Sequence, residues 1–220
     1  MPTKEQRQLM KVMDKLFKQK YAFVAKQYGF KSSSYNAFKV DHSFFFDCFV
    51  TLNNLALFDN YLEITISLHV KPLQVDEIYW EIFGLDENKK KPLSFRAQGV
   101  FVVKGPTLLI RHNITLKESI PNEENLTKII KKGFDLIAEK INAFLKQWTV
   151  ETFDSTKFEY VGISNDQVLL EMLLLIMNGK YKETLDFINI KLNQNEKGQY
   201  YKSDGTNIYD LVKKYCEKKV

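Results

Sequence analysis

What this chain has little of narrows it first. Its 220 residues include 2 cysteines, 9 glycines and 3 histidines. Cys48 and Cys216 lie far apart in apolar-patterned segments, which leaves neither a disulfide framework nor a Cys-x-x-Cys metal knuckle and reads as two buried or semi-buried thiols. The glycines are scattered, and neither Gly-x-Gly-x-x-Gly nor Gly-x-x-x-x-Gly-Lys occurs, so no loop is built to cradle phosphates and nucleotide hydrolysis is disfavoured. His-Glu-x-x-His, Gly-x-Ser-x-Gly and aspartate-rich metal motifs are missing as well. No motif calls for a cofactor or a metal ion. The longest apolar run, Val168 to Met177, is interrupted by Glu171 and falls far short of the roughly 20 residues of a membrane span. The opening Met1-Pro2-Thr3-Lys4-Glu5 leads into no apolar stretch, so neither a signal peptide nor a transit peptide is expected and a cytoplasmic setting is the default.

What is present is material for a core. With 45% hydrophobic and 14% aromatic residues the chain can bury a sizeable interior and should fold as one domain with a small appendage. The net charge of +5 is concentrated at one end, because residues 1–40 hold nine Lys or Arg against two acids. The basic character therefore belongs to the N-terminal segment, and the whole-chain charge says little about a general affinity for nucleic acid.

Periodicity supplies the elements. Met10, Met13, Phe17, Tyr21, Val24 and Tyr28 recur at spacings of three or four, the stripe of an amphipathic helix, and Gly29 can cap its C-terminus. Residues 35–40 and 44–52 read as two strands around Asp41-His42-Ser43, with the Ser32-Ser33-Ser34 stretch before them as a loop. Residues 53–60 read as a connection. Leu62 to Val70 then alternates with period two, which predicts a strand with one face in a core. Val75, Ile78, Tyr79 and Ile82 form a short helical stripe stopping at Gly84, with Asp76 and Glu77 in the first turn where the helix dipole favours negative charge. Residues 86–91 read as a solvated loop. Residues 97–104 and 107–114 read as a hairpin turning at Gly105-Pro106. The strongest helix opens at Pro121-Asn122 and places Leu126, Ile129, Ile130, Phe134, Ile137, Ile141, Phe144, Leu145 and Trp148 on one face. Three shorter helical stripes follow beyond residue 164. The expected architecture is α+β: a mostly antiparallel sheet of four or five strands, covered on one face by the two long helices, with a helical appendage. The corresponding division is an α+β domain over 1–150, a linker over 151–163 and a short-helix appendage over 164–220.

Candidate sites follow from which residues share a face. Glu63, Thr65, Ser67 and His69 form the polar side of the alternating strand, and with Asp47 and Thr51 of the preceding strand they would line one surface. Two carboxylates beside an imidazole suit general acid and base work, so a hydrolase using Glu63, His69 and Asp47 is one reading, and a solvated or partner-binding sheet face is the other. The three histidines do not converge by this alternation. His69 falls on the polar face, His112 in register with Leu108 and Ile110, and His42 at a strand end, so a shared metal site is not expected. Cys48 shares the apolar face of Phe44, Phe46, Val50 and Leu52, opposite to His69, which argues against a Cys-His pair.

Arg7, Lys11, Lys15 and Lys18 stack into a basic row on the first helix, a donor row of the kind phosphates use, although a lysine-rich solvated face is the commoner meaning. Val168 to Met177 is apolar nearly all round, which a small appendage has difficulty burying, so Leu173, Leu174 and Met177 are candidates for a contact with a protein partner or a second copy of the chain. Tyr28-Gly29-Phe30-Lys31, Phe38, the Phe44 to Phe46 run and Val70-Lys71-Pro72, in that order behind an N-terminal helix, resemble an uncharacterised bacterial family of domains of unknown function. That resemblance, over roughly residues 5–148, implies an α+β fold in the bacterial cytosol and transfers no catalytic residue. The expectation is a non-enzymatic cytosolic protein-binding module of the adaptor or immunity type. A hydrolase on the open sheet face and a nucleic-acid binder through the basic helix are the alternatives.

Overall fold

The stripe of threes and fours at the N-terminus folds as helix α1 (Lys4–Gln27), ended by Gly29 in the left-handed conformation with φ 77°. The computed structural model describes residues 3–53, 62–99, 101–116, 122–160, 164–196, 198 and 201–220, so the expected connection over 54–60 lies outside the described residues. Strands β1 (Lys31–Ser33), β2 (Asn36–Asp41), β3 (Phe44–Asn53), β4 (Leu62–Pro72) and β5 (Thr107–Leu116) form an antiparallel sheet in chain order. Helix α4 (Glu123–Gln147) covers it together with α1. Between β4 and β5 lie α2 (Gln74–Phe83), a 3-10 turn (Asp86–Lys90) and the one-turn helix α3 (Phe95–Gln98). A 3-10 turn (Ser155–Lys157) and helices α5 (Ser164–Met177), α6 (Tyr181–Asn193) and α7 (Ile208–Glu217) close the chain. The α+β class with an antiparallel sheet is therefore the architecture.

The chain divides into two compact units, residues 1–70 with 107–149 and residues 71–106 with 150–220. This cuts it differently from a boundary at residue 150: the segment between β4 and β5 counts with the C-terminal helices.

In the sheet unit, β2 and β3 form a two-residue hairpin whose tip, His42-Ser43, has φ of 47° and 64°, and Asp41 pairs with Phe44. The Ser32-Ser33 stretch, expected as loop, is strand β1, held against β2 by Ser33 pairing with Asn36. Phe44, Phe46, Cys48 and Val50 alternate on the face beneath the helices and are buried. Phe134 of α4 is the hub of the core, its ring 5.4 Å from Tyr21, 5.4 Å from Tyr28 and 5.5 Å from Phe30. Phe144 meets Phe44 and Phe46 edge-on at 4.9 and 5.8 Å. Each such fully buried ring contributes about 1.5–3 kcal/mol. Asn122 caps α4 by accepting from the Asn125 N–H at 2.8 Å, next to Glu123 and Glu124 in the first turn.

In the helical unit, the strand expected over 97–104 does not form among the described residues. Residues 95–98 turn as α3, and residues 101–106 are irregular before β5. The backbone groups that a hairpin ladder would have used bond elsewhere: the Val103 N–H donates to Asp76 Oδ1 at 2.9 Å, and the Val103 and Arg96 carbonyls accept from Lys71. The expected loop 86–91 is mostly the 3-10 turn Asp86–Lys90. Helix α5, apolar on nearly every side, packs on α2, α6 and the turn Ser155–Lys157, while α7 packs on α6 and α2. Leu169, Leu170, Met172 and Leu173 are thereby buried. Among the described residues no helix is long and apolar enough to cross a membrane.

Candidate functional site

The second face of the sheet, expected to be polar and open, is mixed. Phe38 and Phe45 stack on it at 6.0 Å and are buried, while Phe49 and Val40 are partly exposed. Thr65, Ser67 and His69 are half-buried. Ser67 Oγ donates to the Phe49 carbonyl at 3.3 Å, and His69 Nδ1 lies 3.2 Å from Thr107 Oγ1. Asp47 Oδ1 accepts from Asn36 Nδ2 at 3.4 Å. Two members of the hydrolase set thus engage opposite neighbours, Asp47 toward β2 and His69 toward β5. Glu63 pairs through its backbone with Thr115 of β5, and its side chain lies outside the described residues.

The histidines stay apart. His42 sits at the hairpin tip against Asp41 at 2.8 Å, His69 pairs with Thr107, and His112 stands at the register position opposite Ile66. Two irregularities in the β4–β5 register, between Ile66 and Leu68 and between Leu68 and His69, do not bring His112 level with His69. Among the described residues no group of three His, Cys, Asp or Glu side chains could hold a metal ion.

Neither thiol is poised to attack. Cys48 is buried under Tyr21, whose hydroxyl donates to the Cys48 carbonyl at 3.2 Å and reaches its Sγ at 3.5 Å; burial pushes the thiol up to about 12. Burial likewise lifts Cys216 to about 11. A thiol held protonated in this way is a weak nucleophile at neutral pH.

The expected contact on α5 is largely covered. Leu173 and Leu174 are buried and Met177 is half-buried, because α2, which the sequence places some 90 residues earlier, completes the burial that the C-terminal helices could not provide alone.

The basic row on α1 is real but shorter than its spacing suggests. Arg7, Lys11 and Lys15 are exposed. Lys18 is drawn into an ion pair with Asp14 at 2.8 Å and lies over the Tyr35 ring at 4.6 Å. Beside this row the helix shows a feature that a search for the inward stripe passes over. Val12 is 53% and Phe23 59% exposed, with Leu9 and Leu16 half-buried on the same flank. These are the largest apolar exposures on the helix, and lysines stand beside the row they form with Leu9 and Leu16.

The helical unit holds a charged cluster that the sequence reading also missed. Lys71 is 3%, Asp76 0% and Arg96 8% exposed. The Lys71 ammonium donates to Asp76 at 2.9 Å, to the Arg96 carbonyl at 3.1 Å and to the Val103 carbonyl at 2.6 Å, which uses all three of its N–H groups. Arg96 donates to the Leu73 carbonyl and to Glu77 Oε1, both at 2.8 Å, reaches Asp76 at 3.5 Å and stacks 4.8 Å over Trp80. Asp76, in the first turn of α2 as expected, is also the inner anchor, since it answers two cations and one backbone N–H. With Lys71 saturated by its neighbours, the cluster acts as a clamp on the loop that follows α3. The signal was available only as three charged residues of no common period.

Compared with known proteins, the chain matches no family model, no curated protein sequence and no solved structure.

Proposed function

We propose that this protein is a non-enzymatic binding module that holds another protein against the outer face of α1. The bacterial, cytoplasmic setting that the family resemblance implies is part of the same proposal. The supporting observation is the exposure of Val12 and Phe23 beside Lys11 and Lys15 on a helix whose adjacent face is fully committed to the core. An isolated exposed leucine or valine is ordinary, whereas two large apolar groups three turns apart on one flank of a rigid helix form a surface that a partner can cover. The groups best suited to chemistry support the same reading from the other side. Cys48 and Cys216 are buried with raised thiols, and Asp47 and His69 engage different neighbours.

Site-specific photo-crosslinking tests this. A benzophenone side chain at position 23 is expected to trap a defined protein in cells, while the same group at the exposed position 143 on α4 traps none at a comparable level. Equal adducts at both positions, or no protein adduct at 23, would sink the proposal.

A further inference from the structure

The apolar residues on the outer side of α1 have their own periodicity. Leu9, Val12, Leu16 and Phe23 are separated by three, four and seven residues, and Gln19 and Lys26 fall at the intervening and following steps. These are the a and d positions of a heptad, and they continue for about 26 Å at the rise of an α-helix. The buried stripe of Met13, Phe17, Tyr21 and Val24 runs beside this row, about 100° further round the helix, and packs inside the sheet unit. The helix therefore carries two seams, one used and one outward. A seam of alternating three and four spacing accepts another helix, because its ridges seat the side chains of a partner lying along it at a shallow angle.

The flanks of the outer seam differ. On one side stand the exposed Lys11 and Lys15; on the other Lys20 is already paired with Glu123 of α4 at 2.6 Å. The charge left for a partner is therefore on the Lys11 and Lys15 side. It is not diluted across the whole protein either, since the second unit contains as many acids as bases and the net charge of +5 belongs to the sheet unit.

We infer that the outer face of α1 docks an amphipathic helix of a partner protein, with apolar residues along the Leu9 to Phe23 seam and acidic residues on the flank that meets Lys11 and Lys15. This deepens the binding-module reading and rests on it. A second copy of the chain fits less well, because an isologous antiparallel pairing of two α1 helices sets the same lysine flanks against each other. An anionic membrane would use a broad apolar arc, and here the arc is a single row broken by Gln19 and Lys26. A nucleic-acid backbone would use the lysines and leave Val12 and Phe23 in water, with Lys18 already neutralised by Asp14.

The test is a displayed library of helices about 20 residues long, with leucine fixed at the a and d positions and the flanks randomised among Glu, Ser and Lys, selected against the full-length protein. Glutamate should be enriched over lysine on one flank by about tenfold. Synthesised winners should lose about tenfold or more in affinity with Phe23→Ser or Val12→Ser, as expected when a buried apolar anchor is removed. Lys11→Glu combined with Lys15→Glu should reverse the selection toward lysine, a result that loss of folding cannot produce. Because these four positions are exposed or face solvent, unchanged thermal melts confirm that the variants fold.

Selection without charge preference, or winners indifferent to Phe23→Ser, overturns the inference. So does tighter binding of single-stranded RNA or of phosphatidylglycerol vesicles that depends on the same two apolar residues. A protein adduct at position 23 together with a failed charge swap would leave the binding module standing and remove only the acidic-helix partner; no adduct at 23 would remove both.

Discussion

The sheet unit carries the whole net charge of +5 and keeps its ion pairs near the surface, as in Lys18 with Asp14 and Lys39 with Asp41. The helical unit is electrically balanced and puts Lys71, Asp76 and Arg96 inside. The first is specified by the packing of rings around Phe134 and Phe144; the second holds the irregular stretch before β5 through a polar network. The contrast separates two ways of holding a chain in one conformation. Apolar packing is cumulative and tolerant of detail, whereas a buried network is stable only while every member is satisfied.

The largest effects should come from attacking each centre. Phe134→Ala should cost the sheet unit about 3–5 kcal/mol, and Asp76→Ala should cost the helical unit about as much, because it strands the Lys71 ammonium in the interior. Urea unfolding with hydrogen exchange would read the two units separately. The double variant Lys71→Met with Asp76→Leu sharpens the comparison. A plain buried ion pair can often be replaced by apolar residues without loss. This one also serves the Val103 N–H and the carbonyls of Val103 and Arg96, so the swap leaves three backbone groups without their present partners. At about 1–3 kcal/mol for each orphaned group, the double variant should stay well below the parent. Full recovery would show that the cluster is an ordinary ion pair after all.

The same contrast explains what could be read from the sequence. Helices α1 and α4 and strand β4 announce themselves, since their periods of 3.6 and 2 are consequences of burying one side of a regular element. Strand β1 does not, because Lys31-Ser32-Ser33 has no apolar alternation and owes its extension to pairing with β2. The apolar run over 100–103 has strand composition, yet the Val103 N–H and carbonyl bond to Asp76 and Lys71, about 30 positions away, and no local pattern encodes that. Helix α5 looked like an interface for the same reason: its partner α2 is distant in sequence. Of the candidate site, the basic row was visible and the outer seam of α1 was not, because Leu9, Val12, Leu16 and Phe23 were overshadowed by the stronger stripe next to them.

Two glycines probe the units at an intermediate scale. A Cβ on Gly99 would lie 2.4 Å from the Phe95 carbonyl oxygen, so Gly99→Ala must displace backbone in the helical unit and should cost about 1–3 kcal/mol. Gly29 of the sheet unit has open space around it and a φ of 77°, so Gly29→Ala should cost about 1–2 kcal/mol from handedness alone. Asparagine separates the causes. It tolerates the left-handed region and should recover much of the loss at 29, but at 99 it should be no better than alanine. Equal behaviour at both positions in thermal melts would erase the distinction.

The thiols offer one group in each unit. An unfolded cysteine loses its proton near 9.0, whereas folded Cys48 holds it up to about 12 and Cys216 up to about 11, in both cases through burial. Between pH 9 and 10, below the ordinary tyrosine value of 10.0, the folded protein binds more protons than the unfolded chain, so stability falls as pH rises. For Cys48, which has no exposure, the slope should approach about 1.4 kcal/mol per pH unit. Cys48→Ala should flatten this slope by about one thiol's share and Cys216→Ala by no more, as measured by urea unfolding at the two pH values, while the tyrosines whose protons burial also holds, such as Tyr21, Tyr79 and Tyr160, keep the remainder. A slope unchanged in Cys48→Ala would contradict the burial argument for the sheet unit.

The smallest effect concerns non-glycine residues in left-handed backbone, which both units contain. His42 and Ser43 take φ of 47° and 64° at the β2–β3 tip, where nothing but the turn demands it and His42 is 75% exposed. Phe101 takes φ of 62° in the helical unit, where its carbonyl accepts the Trp80 indole N–H at 2.5 Å and its ring lies 6.0 Å from Phe83. Asn-Gly at 42 and 43 suits a type I′ turn and should gain about 0.5–1 kcal/mol, the relief being reduced by the extra freedom glycine gives the unfolded chain. Phe101→Gly relieves the same kind of strain and should nevertheless lose stability, because the ring that strain holds against Phe83 goes with it. Opposite signs in calorimetry would show that strain in the sheet unit is incidental to a turn while strain in the helical unit is offset by a contact; a gain at both sites would make Phe101 a turn residue like the others.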